Sequence, residues 1–119
     1  MKVQNYRQVK VITAAPGVTM RVVAGAAEKA PTFAMRVFEI QTGSATPLHT
    51  HPWEHEVFVL AGKGVLRGSG KETPLAEGDA AIVLPNEQHS FMNADMEMLR
   101  LICVVPLVGG RMPGMPAQD

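Results

Sequence analysis

Apolar residues along this chain come in short runs broken by glycine, proline and asparagine, a rhythm that predicts strands and turns. TMRVVAG at 19–25 reads as a first strand, and TFAMRVFEI at 32–40 as a second. The second run is apolar on both faces except at Arg36 and Glu39, which predicts burial on both sides. A strand carrying His49 and His51 follows, then one over 54–60, then VLRGS, ETPL, AAIVL and HSFMN, with MEMLRLICVVPL as the longest and last. Gly62-Lys63-Gly64 predicts a hairpin, and Gly70-Lys71, Glu77-Gly78-Asp79 and Pro85-Asn86 predict further turns. No segment sustains a 3.6-residue period. Short strands about ten residues apart predict an all-β antiparallel barrel or jelly roll.

With 119 residues the chain fits one domain. It divides into an N-terminal arm over 1–18 that ends at the turn Ala15-Pro16-Gly17, a barrel over 19–108 and a flexible tail over 109–119. Within that tail, Met112 and Met115 could reach a partner or cover a pocket. Eleven basic and eleven acidic residues cancel, so no long-range field draws nucleic acid or an anionic membrane. Without a basic face or a helix-turn-helix pattern, a DNA-binding regulator is excluded. Polar residues break every apolar run of the N-terminus, which predicts neither a signal peptide nor a spanning helix. A single cysteine, Cys103, fits a reducing compartment, and the expectation is a cytoplasmic protein.

The chemistry concentrates in GSATPLHTHPWEHEVFVLAG, 43–62, which holds His49, His51 and His55, with the fourth histidine, His89, in PNEQHSFMN. Side chains at i and i+2 of a strand share a face about 7 Å apart, so His49 and His51 can converge on one ion. The turn at Pro52-Trp53 allows His55 to be aimed back at the same point. A metal site is the first expectation.

Gly43, His49, His51, either His55 or Glu56, and Gly62 resemble the first motif of the cupin family; Gly78, Pro85, His89 and Asn93 resemble the second. The chain departs from the usual pattern at Glu87, near a position where the family has glycine, and in a Pro85-to-His89 gap one residue short. HPWEHE is similar to small single-domain cupins that hold their metal with four histidines. The resemblance, over roughly 20–105, implies a double-stranded β-helix. Adjacent His55 and Glu56 point to opposite faces of a strand, so only one can meet the metal. Small β-branched Val57 and Val59 on the His55 face, together with the four-histidine resemblance, favour His55.

Imidazole ligands suit manganese, implied first by the resemblance, then iron, nickel, zinc or copper. Four neutral ligands leave the ion its full charge and, in an octahedral field, two free positions for a chelating, anionic guest. The candidates for supporting the ligating rings or lining the pocket are Trp53, Glu54, Glu56, Asn93, Phe91, Met35, Arg36, Ile82 and Cys103. Glu54, Glu56 and Asn93 are expected to orient the ligating rings; Met35, Phe91, Ile82 and Cys103 are expected in an apolar lining. Arg36 can pair a substrate carboxylate or, instead, Glu39 or Glu97. No inward carboxylate stands out as a general base. These features imply a dioxygenase-like oxidoreductase acting on a small chelating molecule. A Lewis-acid isomerase or decarboxylase, or a non-catalytic metal- or ligand-binding cupin, is the alternative. Phe58 and Leu60 on the outer face of their strand, beside the doubly apolar run 32–40, predict a two-fold homodimer.

Overall fold

Nearly every apolar run becomes a strand in the computed structural model of the protein, which describes residues 1–114. The strands are β1 (Ile12–Ala15), β2 (Val18–Ala24), β3 (Phe33–Ile40), β4 (His55–Ala61), β5 (Lys63–Gly68), β6 (Lys71–Ala76), β7 (Ala80–Val83), β8 (Ser90–Met92) and β9 (Leu99–Pro106). Two short 3₁₀ turns, Tyr6–Gln8 and Ala26–Glu28, are the only helical pieces among the described residues. Six strands pair in the order β1-β2-β3-β9-β4-β7 and three in the order β6-β5-β8, every pairing antiparallel.

The two sheets meet over one core. β9 alternates strictly between buried and half-buried positions, and its Leu99, Leu101, Cys103 and Val105 pack with Val57 and Val59 of β4 and Ala34 and Ile40 of β3. Leu75 of β6 and Phe91 of β8 close this core from the smaller sheet. Each such leucine withdrawn from water contributes about 2 kcal/mol. At the far end Asn93, fully buried, donates to the carbonyls of Ile40 (2.8 Å) and Glu97 (2.7 Å) and accepts from the Asp95 N–H.

Three expectations are corrected. The predicted hairpin at Gly62 is instead a corner between sheets: β4 pairs with β7 and β9, while β5 belongs to the other sheet. Gly62 has φ +87°, and a Cβ there would run into the Met98 carbonyl, so only glycine makes this step. The true hairpin joins β5 to β6, with both Ser69 (φ 52°) and Gly70 (φ 76°) left-handed, the signature of a type I′ turn. The run carrying His49 and His51 forms only isolated bridges, Ala45 to Met92 and His49 to His89, because Pro47 and Pro52 have no N–H to extend a ladder. Burial of 32–40 on both faces holds at Val37, but Phe33 and Met35 are 58% and 41% exposed.

The chain ends also take part. Residues 12–15, read as part of an arm, form edge strand β1 against β2. At the other end, Val108 and Arg111 bridge across a turn and Met112 is buried in the core. Met115 lies outside the described residues. Among those residues no helix is long and apolar enough to cross a membrane.

Candidate metal centre

His49 sits opposite His89, joined by reciprocal backbone hydrogen bonds of 3.2 and 3.0 Å that hold the irregular segment to the edge of β8. His55 opens β4, paired with Val83. Its pleat turns His55, Val57 and Val59 inward and Glu56 and Phe58 outward.

Nitrogens of His49, His51 and His89 lie within 4.8 Å of one another. Each of these rings is tied two residues away along the chain: His49 Nδ1 to the Pro47 carbonyl (2.6 Å), His51 Nδ1 to that of Trp53 (2.7 Å) and His89 Nδ1 to that of Glu87 (2.8 Å). A carbonyl only accepts, so in each neutral ring the proton resides on Nδ1 and the Nε2 lone pair is bare. Ligating histidines are held in this way, with the distal N–H on an acceptor. His51 is further fixed by Trp53, whose ring stacks on it at 4.3 Å and 1°.

His55 is tied differently. Its Nε2 lies 2.8 Å from His89 Nε2, and its Nδ1 lies 2.9 Å from Cys103 Sγ. Since the His89 proton is on Nδ1, the proton between the two Nε2 atoms belongs to His55, whose bare Nδ1 then accepts from the Cys103 thiol. Arg36 Nη2 in turn donates to Sγ at 2.9 Å.

Burial, then the neighbouring His89, Arg36, His51 and His49, pushes the His55 pKa down to about 3. Burial also lowers His51 and His89, against the pull of their carbonyl partners. These imidazoles are therefore neutral at pH 7, the state a metal ion requires. Burial raises the Cys103 thiol more than Arg36 lowers it, which keeps it protonated. His49, His51 and His89 thus form a cluster whose donor atoms and tautomers fit a divalent ion.

Of the surrounding residues proposed from sequence, Trp53, Arg36, Phe91 and Cys103 line the cavity beside the histidines. Five lie elsewhere. Glu54 and Glu56 are exposed, and slight desolvation together with the neighbouring Glu54 raises the Glu56 carboxyl; backbone carbonyls do the orienting instead. Asn93 serves the far end of the core. Met35 (41% exposed) and Ile82 (66% exposed) occupy the outward pleat of β3 and β7. Glu39 does not pair with Arg36; it binds Arg100 at 2.8 Å and Arg21 at 3.5 Å. Sequence reading missed Met20, Phe38 and Leu101 in the lining. Phe38 was reachable, since it lies two residues from Arg36 and shares its face.

The histidines open into a cavity of about 690 Å³ whose wall includes Ile12 of β1 and Pro113 and Gly114 of the C-terminal segment. Residues 36–105, more than half of the chain, match the Cupin domain family. The chain is a cupin. This cupin resembles in structure the polyketide cyclase RemF from Streptomyces resistomycificus, with 28% identity, a TM-score of 0.82 and coverage of 89% of this chain and 79% of that one. It also matches a structure described as a predicted oxalate decarboxylase from Thermotoga maritima, at 27% identity and a TM-score of 0.72, over 90% of this chain and all of the other. In sequence it is 33% identical over 71 residues to the oxalate-binding protein of Thermotoga maritima, a match spanning 59% of each chain.

Proposed function

We propose that this cupin is a metal-dependent enzyme that takes a small, chelating organic anion and transforms it without net oxidation. His49, His51, His55 and His89 would hold the ion, with manganese first and then iron, nickel, zinc or copper. The observation that carries this reading is the set of imidazoles with Nε2 turned inward beside an open cavity. When bound, a divalent ion supplies Lewis-acid polarisation of substrate oxygens. The chain's own residues fix the neutral donors, keep water out with Phe91, Val57 and Leu101, and leave the ion's charge unopposed by any lining carboxylate among the described residues. Both polyketides and oxalate, named for the relatives above, are oxygen-rich chelators.

A redox-neutral reaction is favoured over the dioxygenase-like one by the sulfur in the wall. The Cys103 thiol touches His55, and the Met20 thioether lines the same space; both would be oxidised early beside an oxygen-activating ion. A purely ligand-holding role is the second reading, kept open because no carboxylate among the described residues lines the cavity to act as acid or base. The exposed Phe33, Met35, Phe58 and Ile82 on the outer face of the larger sheet support a two-fold homodimer through that face.

Metal analysis of protein purified without added ions, followed by assays against a panel of β-diketones and hydroxy acids in air and under nitrogen, tests the proposal. Turnover at equal rates in both atmospheres, abolished by a chelator and restored by metal, is expected. Oxygen uptake in step with turnover supports the dioxygenase, and metal-dependent binding without turnover the binding module; either overturns the proposal.

A further inference from the structure

We propose that Arg36 is the carboxylate anchor of the histidine cavity, so that the ligand is an amphipathic organic acid: one carboxylate on a substantial apolar body. This deepens the proposed function and shares its assumption that the substrate occupies the histidine cavity. Arg36 lies on the inward pleat of β3 in the wall of that cavity. Its partners are all neutral and soft. Nη2 reaches Cys103 Sγ at 2.9 Å, Nη1 reaches Met20 Sδ at 3.8 Å, and the guanidinium stands 5.0 Å from the Phe38 ring centroid. Nε is buried with no hydrogen-bond partner.

A guanidinium in such a place lacks the counter-ion that its desolvation demands. The nearby Glu39 is already committed to Arg100 and Arg21, and no Asp or Glu among the described residues lines the cavity. The other arginines with an unpartnered Nε differ: Arg21 has Glu39, and Arg67 of β5 lies outside the cavity wall. Arg36 is the cationic side chain left facing that space. A planar fork of donors suits a carboxylate.

The remaining wall fixes the rest of the ligand. Ile12, Met20, Phe38, Val57, Phe91 and Leu101 present hydrocarbon, sulfur and aromatic faces around about 690 Å³, within the roughly 300–1,000 Å³ typical of sites for drug-sized molecules. Oxalate alone would leave those walls wet. Cys103 touches both Arg36 and His55, each at 2.9 Å, so one bound molecule can reach the arginine and the fourth imidazole together.

The test uses 1-hydroxy-2-naphthoate and its neutral amide as probes, titrated calorimetrically into chelator-treated and manganese-loaded protein. The wild type should prefer the acid by about tenfold or more in the metal-free state, where no ion can supply the preference. Arg36→Lys should retain part of that ratio and Arg36→Met should bring it to about one. Melting curves establish that each variant is folded; should Arg36→Met not fold, Arg36→Gln takes its place. Equal affinity of the wild type for acid and amide, a ratio that survives loss of the guanidinium, or no binding of the acid would each overturn the assignment. A metal-free protein that keeps the acid preference but never takes up metal sinks the proposed function and leaves this inference standing. Metal uptake without the preference does the reverse.

Discussion

Three of the four histidines are held by the backbone and one by side chains, and the two arrangements have different physical consequences. His49, His51 and His89 each lean on a carbonyl two residues away. Such a tether is local and survives even on the segment 44–53, where proline prevents a regular strand. It dictates the tautomer as well as the ring's direction. His55 stands on a well-paired strand at 7% exposure, yet its Nδ1 contacts a thiol that answers to Arg36. A thiol both donates and accepts, so the His55 tautomer is not fixed by its partner. The backbone-held group presents bare nitrogens to an ion; as the proposed fourth ligand, His55 would have to exchange its inward proton for one. On the proposed four-histidine reading, three preorganised donors would capture the ion and one adjustable donor would tune it.

The largest break in this comparison comes from removing a backbone-held histidine. His89→Ala should lower divalent metal affinity about 100-fold or more, read by competition with a chromogenic chelator, because it removes one of the three converging nitrogen donors. Full occupancy in that variant would remove His89 from the ligand set. Cys103→Ala addresses the other arm. Loss of a group that orients a ligating histidine typically costs about 10- to 100-fold in affinity, and Cys103→Ser, which restores a donor and acceptor, should recover part of it. If alanine and serine behave like the wild type, the side-chain hold on His55 is idle.

How much of this was legible in the sequence depends on the range of the interaction involved. The strands and the all-β class follow from period-two patterning and from glycine and proline punctuation, which are local, while the convergence of His89 with the other histidines rests on the family resemblance. The inward turn of His55 rests on Val57 and Val59 together with the four-histidine resemblance, and the strict pleat then sends Glu56 outward. Contacts across the sheets were another matter. Glu39 is two residues past Val37 and close to Arg36 in sequence, but its carboxylate is claimed by Arg100, 61 residues away, and no spacing rule reveals that. The motif ties Asn93 to the histidines, whereas burial gives it two backbone carbonyls, of Ile40 and Glu97, as partners. Hydrophobicity alone places Met35 and Ile82 in the lining, but the pleat of β3 and β7 turns them outward.

Acid should separate the two arms further. The folded-state pKa of His55 falls from 6.5 to about 3, so below pH 6.5 the unfolded chain takes up a proton that the folded chain refuses. Stability is therefore complete above about pH 6.5 and lost as pH falls from there toward 3, with a slope of up to about 1.4 kcal/mol per pH unit for one such group. His51 and His89, shifted in the same direction, add to it. Melting temperatures of the metal-free protein across that range should decline, and His55→Gln should flatten the decline. An unchanged pH profile in that variant would mean that the imidazole is solvated in the folded state.

The smallest effect concerns the support of a single backbone-held ring. Trp53 stacks flat on His51 at 4.3 Å and also touches Gly114, where a Cβ would lie 2.9 Å from the indole. The indole therefore sits between His51 and the C-terminal segment. Such an aromatic pair contributes about 0.5–1.5 kcal/mol beyond the area it buries, equivalent to about a 2- to 12-fold change in an equilibrium constant. Because the carbonyl of residue 53 survives any side-chain replacement, Trp53→Ala removes the stack and leaves the tether. Metal affinity should fall by no more than that factor, while Trp53→Phe, which keeps a flat face, should fall less. A loss as large as that from His89→Ala would mean that the stack, and not the carbonyl, is what holds His51 in place.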